Sequence, residues 1–248
     1  SDFDIFLWDT ASRGDFTLEM FLEAAGFLVE VDSIDLLEGK FNIEEFSFIL
    51  QDIKQYIVNR EYLYLKVGGL FDYEPIPALI GNTEAGDWIG ICPVFDIDRY
   101  DDEIGRIQDN ASRKIEYKPL ISGLKNLEDV EIFSETLDYT FLEGIAWEIA
   151  ETRNNLLHNL LKSSNMMLFF SDYEQAFGKE GFFGENDDSQ NEDSLERQET
   201  NKKLSDIIKS RFNDIKIYWI GDITIDVYII GKIETGDWIG INTKLTQT

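Results

Sequence analysis

His158 is the sole histidine and Cys92 the sole cysteine of this 248-residue chain, so the usual proton shuttle and the usual sulfur nucleophile occur once each. A Ser/His/Asp or Cys/His mechanism needs that histidine beside a nucleophile. His158 instead sits among Leu156, Leu157, Leu160 and Leu161 at helical spacing, which predicts a structural position. Cys92 follows a strand-like run and precedes Pro93, with no second cysteine for zinc and no nearby basic residue to lower its pKa. It reads as a small apolar residue. Acid clusters at Asp96 to Glu103 and Asp187 to Asp193 invite a calcium reading, but neither has the glycine and closing glutamate of an EF-hand loop. Glycine-rich phosphate loops and dinucleotide fingerprints are missing as well. The expectation is a binding protein, not an enzyme, with no cofactor.

Charge narrows the partners. With 22 Lys and Arg against 49 Asp and Glu, the formal charge is −27. Nucleic acids and anionic membranes are bound by cations that displace counterions from phosphates, so neither is an expected partner. A basic protein is the electrostatic fit. An apolar fraction of 43% with 18 Phe, 10 Tyr and 5 Trp excludes a disordered acidic chain. No apolar run reaches the roughly 20 residues of a membrane span. One cysteine permits no internal disulfide, so a reducing, cytoplasmic setting is expected.

The elements that position these residues are duplicated. ALIGNTEAGDWIGI (Ala78 to Ile91) returns as YIIGKIETGDWIGI (Tyr228 to Ile241), with Gly86 to Ile91 repeated unchanged as Gly236 to Ile241. Gly86-Asp87 and Gly236-Asp237 predict hairpin turns, and Trp88 and Trp238 open the returning strands as core or hairpin anchors. Before each copy lies a helical pattern, Phe46, Ile49, Leu50, Ile53 and Ile57 in one and Leu204, Ile207, Ile208 and Phe212 in the other. Strand-like runs follow at Tyr62 to Val67 and Asp72 to Ile80, and at Ile215 to Ile220 and Asp222 to Ile230. Upstream, Phe3 to Asp9 parallels Leu142 to Glu148, aligning Trp8 with Trp147. Each is followed by a helical stretch (Leu18 to Ala25, Leu156 to Leu161) and a strand-like run (Phe27 to Val31, Met166 to Phe170). Only the second copy has a helical lead-in at Leu120, Leu124 and Leu127. Glu185 to Thr200, rich in acids and amides, reads as a surface loop. Unit one spans residues 1–95, an acidic linker 96–111 and unit two 112–248, each of α+β class.

Unit two resembles the nuclease A inhibitor family, small acidic proteins that block sugar-non-specific, metal-dependent nucleases. The likeness rests on IFSETLDYTFLEGIAWE (Ile132 to Glu148), a Ser-Glu loop leading into a Trp strand, and on the β-rich tail from Ile217 to Thr248. It implies two tandem three-layer α/β/α sandwiches with mixed sheets, similar to the pathogenesis-related-protein fold, the first lacking its N-terminal element. It also implies a partner, a non-specific endonuclease, met by a monomeric inhibitor. Three features of the family meet the nuclease active site: the acid of the Ser-Glu loop falls on Glu135, an aromatic falls on Phe182 or Phe183, and the C-terminal threonine falls on Thr248. Thr248 would reach the partner's divalent metal, and only in the complex. Phe stands here where the family has Trp-Tyr.

Such a plug is physically coherent, because a nuclease groove shaped for phosphates is basic and holds a hard cation that favours oxygen ligands. Two other functions compete with it. A duplicated non-catalytic adaptor would have kept the fold and lost inhibition, as unit one's missing parts suggest. A carboxylate-based hydrolase would rest on the acid clusters alone.

Overall fold

Both Gly-Asp segments close hairpins in the structure, a computed structural model that describes residues 4–31, 56–68, 73–95, 131–132, 142–173, 176, 192–221 and 224–246. At the first turn Gly86 has φ +91° and donates its N–H to Thr83 O at 3.0 Å, while Thr83 N–H donates to Asp87 O at 2.7 Å. The second turn repeats this with Gly236 at φ +93°, and the Asp237 carboxylate accepts from the Thr235 hydroxyl at 2.8 Å. A side chain with a Cβ is strained at such a φ, which is why glycine stands at both places.

The strands are β1 (Asp4–Trp8), β2 (Leu28–Val31), β3 (Val58–Gly68), β4 (Tyr73–Asn82), β5 (Trp88–Phe95), β6 (Glu131–Ile132), β7 (Leu142–Ala150), β8 (Met167–Phe170), β9 (Ile215–Gly221), β10 (Thr224–Lys232) and β11 (Trp238–Thr246). They form a six-stranded sheet in the order β2-β3-β4-β5-β7-β6 and a five-stranded sheet in the order β1-β11-β10-β9-β8. The paired strands with described registers all run antiparallel, where mixed sheets were expected. Short connections impose that direction on β3-β4, β4-β5 and β6-β7, whereas β1-β11, β2-β3 and β5-β7 pair across long stretches of chain. With helices α1 (Thr10–Arg13), α2 (Leu18–Ala24), α3 (Arg153–Ser163) and α4 (Glu192–Arg211), the class is α+β.

Each sheet draws on both halves of the sequence. β1, from the start of the chain, pairs with β11, whereas β7, from the second half, pairs with β5. In space, one compact unit comprises Ser1–Phe16, Phe169–Trp219 and Ile225–Thr248, and the other Thr17–Leu168 with Ile220–Thr224.

The registers revise one sequence correspondence. Trp8 lies opposite Trp238, but Trp88 lies opposite Ala150, and Trp147 lies opposite Ile91. By strand pairing Trp8 therefore answers to Ala150 and not to Trp147. The helix ends do keep the sequence alignment. α2 and α3 are capped by Thr17 and Thr152, whose hydroxyls accept from Met20 and Asn155 N–H. They stop at left-handed Gly26 (φ +80°) and Asn165 (φ +60°), where Phe27 N–H reaches Leu22 O and Met166 N–H reaches Leu161 O. The short helix α1 takes up the extra residues of the first copy.

Two close approaches recur in both copies. A Cβ on Gly81 would collide with Ile57, and one on Gly231 with the Phe212 ring, so the apolar residue following the helical stretch is seated on a bare backbone each time. α4 begins at Glu192, so residues 192–200 are helical and not loop. Glu, Gln, Lys and Arg are good helix formers whose all-round polarity hides the apolar period. Ile208 is buried there, whereas Ile207, expected on the same apolar stripe, is exposed. The helical patterns at 46–57 and 120–127, the linker 96–111 and residues 185–191 lie outside the described residues, apart from Tyr56, in a turn, and Ile57, which is buried but not helical.

Candidate partner-binding site

Glu135, Phe182, Phe183 and Thr248 all lie outside the described residues, so the site is approached from the strands that carry them. β6 and β7 are antiparallel neighbours, Glu131 opposite Glu143 and Ile132 opposite Leu142, and residues 133–141 with Glu135 connect them. β6 and β7 belong to the six-stranded sheet. Thr248 follows β11, and Phe182 and Phe183 follow β8, both in the five-stranded sheet. The described strands nearest these residues in sequence are thus divided between two sheets.

β11 leads to Thr248 through a polar strip. Lys244 Nζ stands 3.8 Å from Oδ1 of Asp226, which is buried on β10, and the buried Thr243 hydroxyl makes no hydrogen bond. At its other end Trp238 stacks on Phe16, with ring centroids 4.9 Å apart and planes at 29°. The ammonium groups of Lys216 and Lys232 stand 5.3 and 5.9 Å from its ring. Asp237 Oδ1 accepts from Thr10 N–H at 3.0 Å, and Gly236 O from the Thr10 hydroxyl at 2.9 Å. The hairpin is thus tied to the residues just after β1.

The matching position in the six-stranded sheet is supported differently. Trp88 lies under the Arg153 guanidinium, 5.6 Å from the ring, and Arg153 also pairs with Glu19 and, at 2.8 Å, with Glu61. Burial raises the Glu19 pKa despite Arg153's pull, because the carboxylate loses more hydration than the guanidinium restores. Glu19 and Glu61 thus share one guanidinium within the fold. The sequence reading missed this cluster, whose members are scattered along the chain.

The two candidate catalytic side chains are both buried, and the acid clusters at 96–103 and 187–191 lie outside the described residues. Cys92 is fully buried, and burial pushes its thiol pKa up to about 12, so it remains protonated. His158 is buried on α3, as its leucine neighbours predicted. Among the described residues no group of three or more His, Cys, Asp or Glu could hold a metal ion. Among them also, no helix is long and apolar enough to cross a membrane.

A family model described as nuclease A inhibitor-like protein matches residues 118–248, just over half of the chain. The chain belongs to the nuclease A inhibitor-like protein family. No curated protein sequence matches it. The family segment contains β6 to β11, and those strands are divided between two sheets: β6 and β7 join the six-stranded one, β8 to β11 the five-stranded one. Within this nuclease A inhibitor-like chain, β1 therefore stands beside β11, next to which β7 does not lie.

Proposed function

We propose that this protein is a non-catalytic inhibitor of a sugar-non-specific, metal-dependent endonuclease. The observation that carries the reading is the family match over residues 118–248, which includes both the Glu135 connection and the C-terminal tail. The charge of −27 supports it, since a groove built to hold phosphates is basic and attracts an acidic protein over distance. In this reading Glu135 faces a basic side chain of the nuclease, Thr248 offers hydroxyl and, where the chain ends there, carboxylate oxygens to its divalent metal, and Phe182 or Phe183 supplies an apolar anchor. The inhibitor acts as a monomer in the cytoplasm and does not bind nucleic acid or membrane itself. The architecture proposed with it is a pair of pathogenesis-related-protein-like α/β/α units in which β1 and β7 have exchanged places.

Titration into a metal-dependent nuclease digest tests this directly. Cleavage stops near equimolar ratio if the reading is right, and full activity at large excess rejects it. One observation favours a second reading, a duplicated adaptor that kept the fold and lost inhibition: the strands flanking Glu135 and Thr248 belong to different sheets. Capture of a stable partner without nuclease activity, together with undiminished cleavage in the titration, selects the adaptor.

A further inference from the structure

Ile5 and Leu7 are the most exposed large apolar side chains among the described residues, 80% and 63% accessible, and both lie on β1. β1 is the end strand of the five-stranded sheet, hydrogen-bonded to β11 on one side and to no described strand on the other. Its alternate residues are fully engaged: Phe6 meets Phe16 and Tyr228 edge-on at 6.2 and 6.3 Å, and Trp8 is buried against Phe16. Ile5 and Leu7 face the other way, opposite Ile241 and Ile239, which are half-buried. An apolar strip two strands wide therefore ends on an edge to which no described strand is paired.

The other edge strands expose less apolar surface, Val29 on β2 being 36% accessible. β8 has Met167, Leu168 and Phe170 buried, β2 turns the charge of Glu30 outward, and β6 is two residues long. Folded proteins blunt their edge strands by such means, because unpaired N–H and C=O groups beside apolar side chains recruit another strand. β7 holds toward β5 the place that β1 holds toward β11, Ala146 opposite Cys92 as Asp4 is opposite Asn242, and β6 pairs with it only at Leu142 and Glu143, ahead of the stretch that corresponds to β1.

We propose that β1 is a docking edge at which an extended segment of a basic partner protein adds a sixth strand. Apolar side chains of that segment at alternate positions cover Ile5 and Leu7, and cationic ones between them meet the exposed Asp4. Charge selects this occupant over a second copy of the chain, since two molecules at −27 repel each other whereas a basic segment is attracted. The inference stands on the edge itself and holds whether or not the protein inhibits a nuclease.

The test is amide hydrogen exchange of the full chain with and without a synthetic peptide alternating lysine and valine. Amides of Asp4–Trp8 that do not donate to β11 should exchange roughly tenfold more slowly with the peptide bound. A peptide alternating glutamate and valine should have no effect. The double variant Ile5→Lys, Leu7→Lys should lose the protection while keeping the circular dichroism and unfolding midpoint of the parent, because both side chains are exposed. The proposal is overturned by no protection of β1, by equal protection from the acidic peptide, by protection that survives the double variant, or by a concentration-dependent dimer of the chain alone that the double variant dissolves.

Discussion

The two sheets are built on the same hairpin and differ in what stands beside it. In the six-stranded sheet, β5 is flanked by β7, and the helix that follows β7 lays Leu156 and Leu160 over Gly90 and brings Arg153 to Trp88. In the five-stranded sheet, β11 is flanked by β1, and Phe16 after it stacks on Trp238, whose ring also lies near the Lys216 and Lys232 ammonium groups. An identical local sequence thus acquires one environment dominated by a helix and an ion-pair cluster and another dominated by rings. Strand pairing transmits that difference, because it fixes which following segment reaches the tryptophan.

The comparison is broken most directly at the tryptophans. Trp238 is 5% exposed and Trp88 is half-buried, so Trp238→Ala should cost about 3–5 kcal/mol and Trp88→Ala roughly half as much, by urea unfolding followed with circular dichroism. Equal costs would erase the distinction between the two environments.

A second test asks whether the two sheets serve one partner. With the nuclease reading, Glu135→Ala should weaken inhibition by on the order of 2–5 kcal/mol, much of it the stranding of a basic group on the nuclease. Removing Thr248 should act independently, the two losses adding within about 0.5 kcal/mol if the residues share no contact. Inhibition constants of the two single variants and the double variant decide it. An unchanged constant for either single variant removes that residue from the interface.

The cations on the tryptophans should rank next. Arg153→Met leaves Glu19 and Glu61 without their guanidinium, an effect of about 1 kcal/mol once discounted for the partial exposure of all three groups. Lys232→Met, at an exposed cation over Trp238, should cost a few tenths of that in the same unfolding assay. A reversed order would mean that the cluster at Trp88 is not a support.

The smallest expected effect is a difference in sign between two carboxylates. Burial above all raises Glu19 over its ordinary 4.5, so its contribution to stability is full below that pH and is lost as pH rises through the folded value. Asp9 caps α1, and the Ser12 hydroxyl donating to it is the main cause of a pKa below its ordinary 3.8. Its contribution is present above 3.8 and is lost as pH falls through the folded value. Carboxyl titrations by NMR should displace the two in opposite directions, and Ser12→Ala should return Asp9 toward 3.8. Displacement of both in one direction would contradict the burial argument for Glu19.

Local chemistry made much of the fold legible. Gly-Asp turns and strand-like runs lie where their residue types predicted, because each is settled within a few neighbouring residues. α4 escaped notice at its N-terminal part because a helix polar on every side has no apolar period to detect. Arg153 escaped because its partners Glu19, Glu61 and Trp88 come from distant segments. The tail and the Ser-Glu loop marked the family, since those stretches carry residue identities and not merely a pattern.

From sequence alone followed the repeated hairpins, the acidic charge and membership of an inhibitor family. Tertiary structure alone decided that β1 lies against β11 and β7 against β5. Backbone hydrogen bonding is the same at either edge, and Gly-Asp-Trp-Ile-Gly-Ile reads identically in both strands, so nothing local tells an incoming strand which hairpin to join. Packing selects: Trp8 and Phe16 fit the rings around Trp238, while Ala146 and Ala150 leave room for α3 over β5.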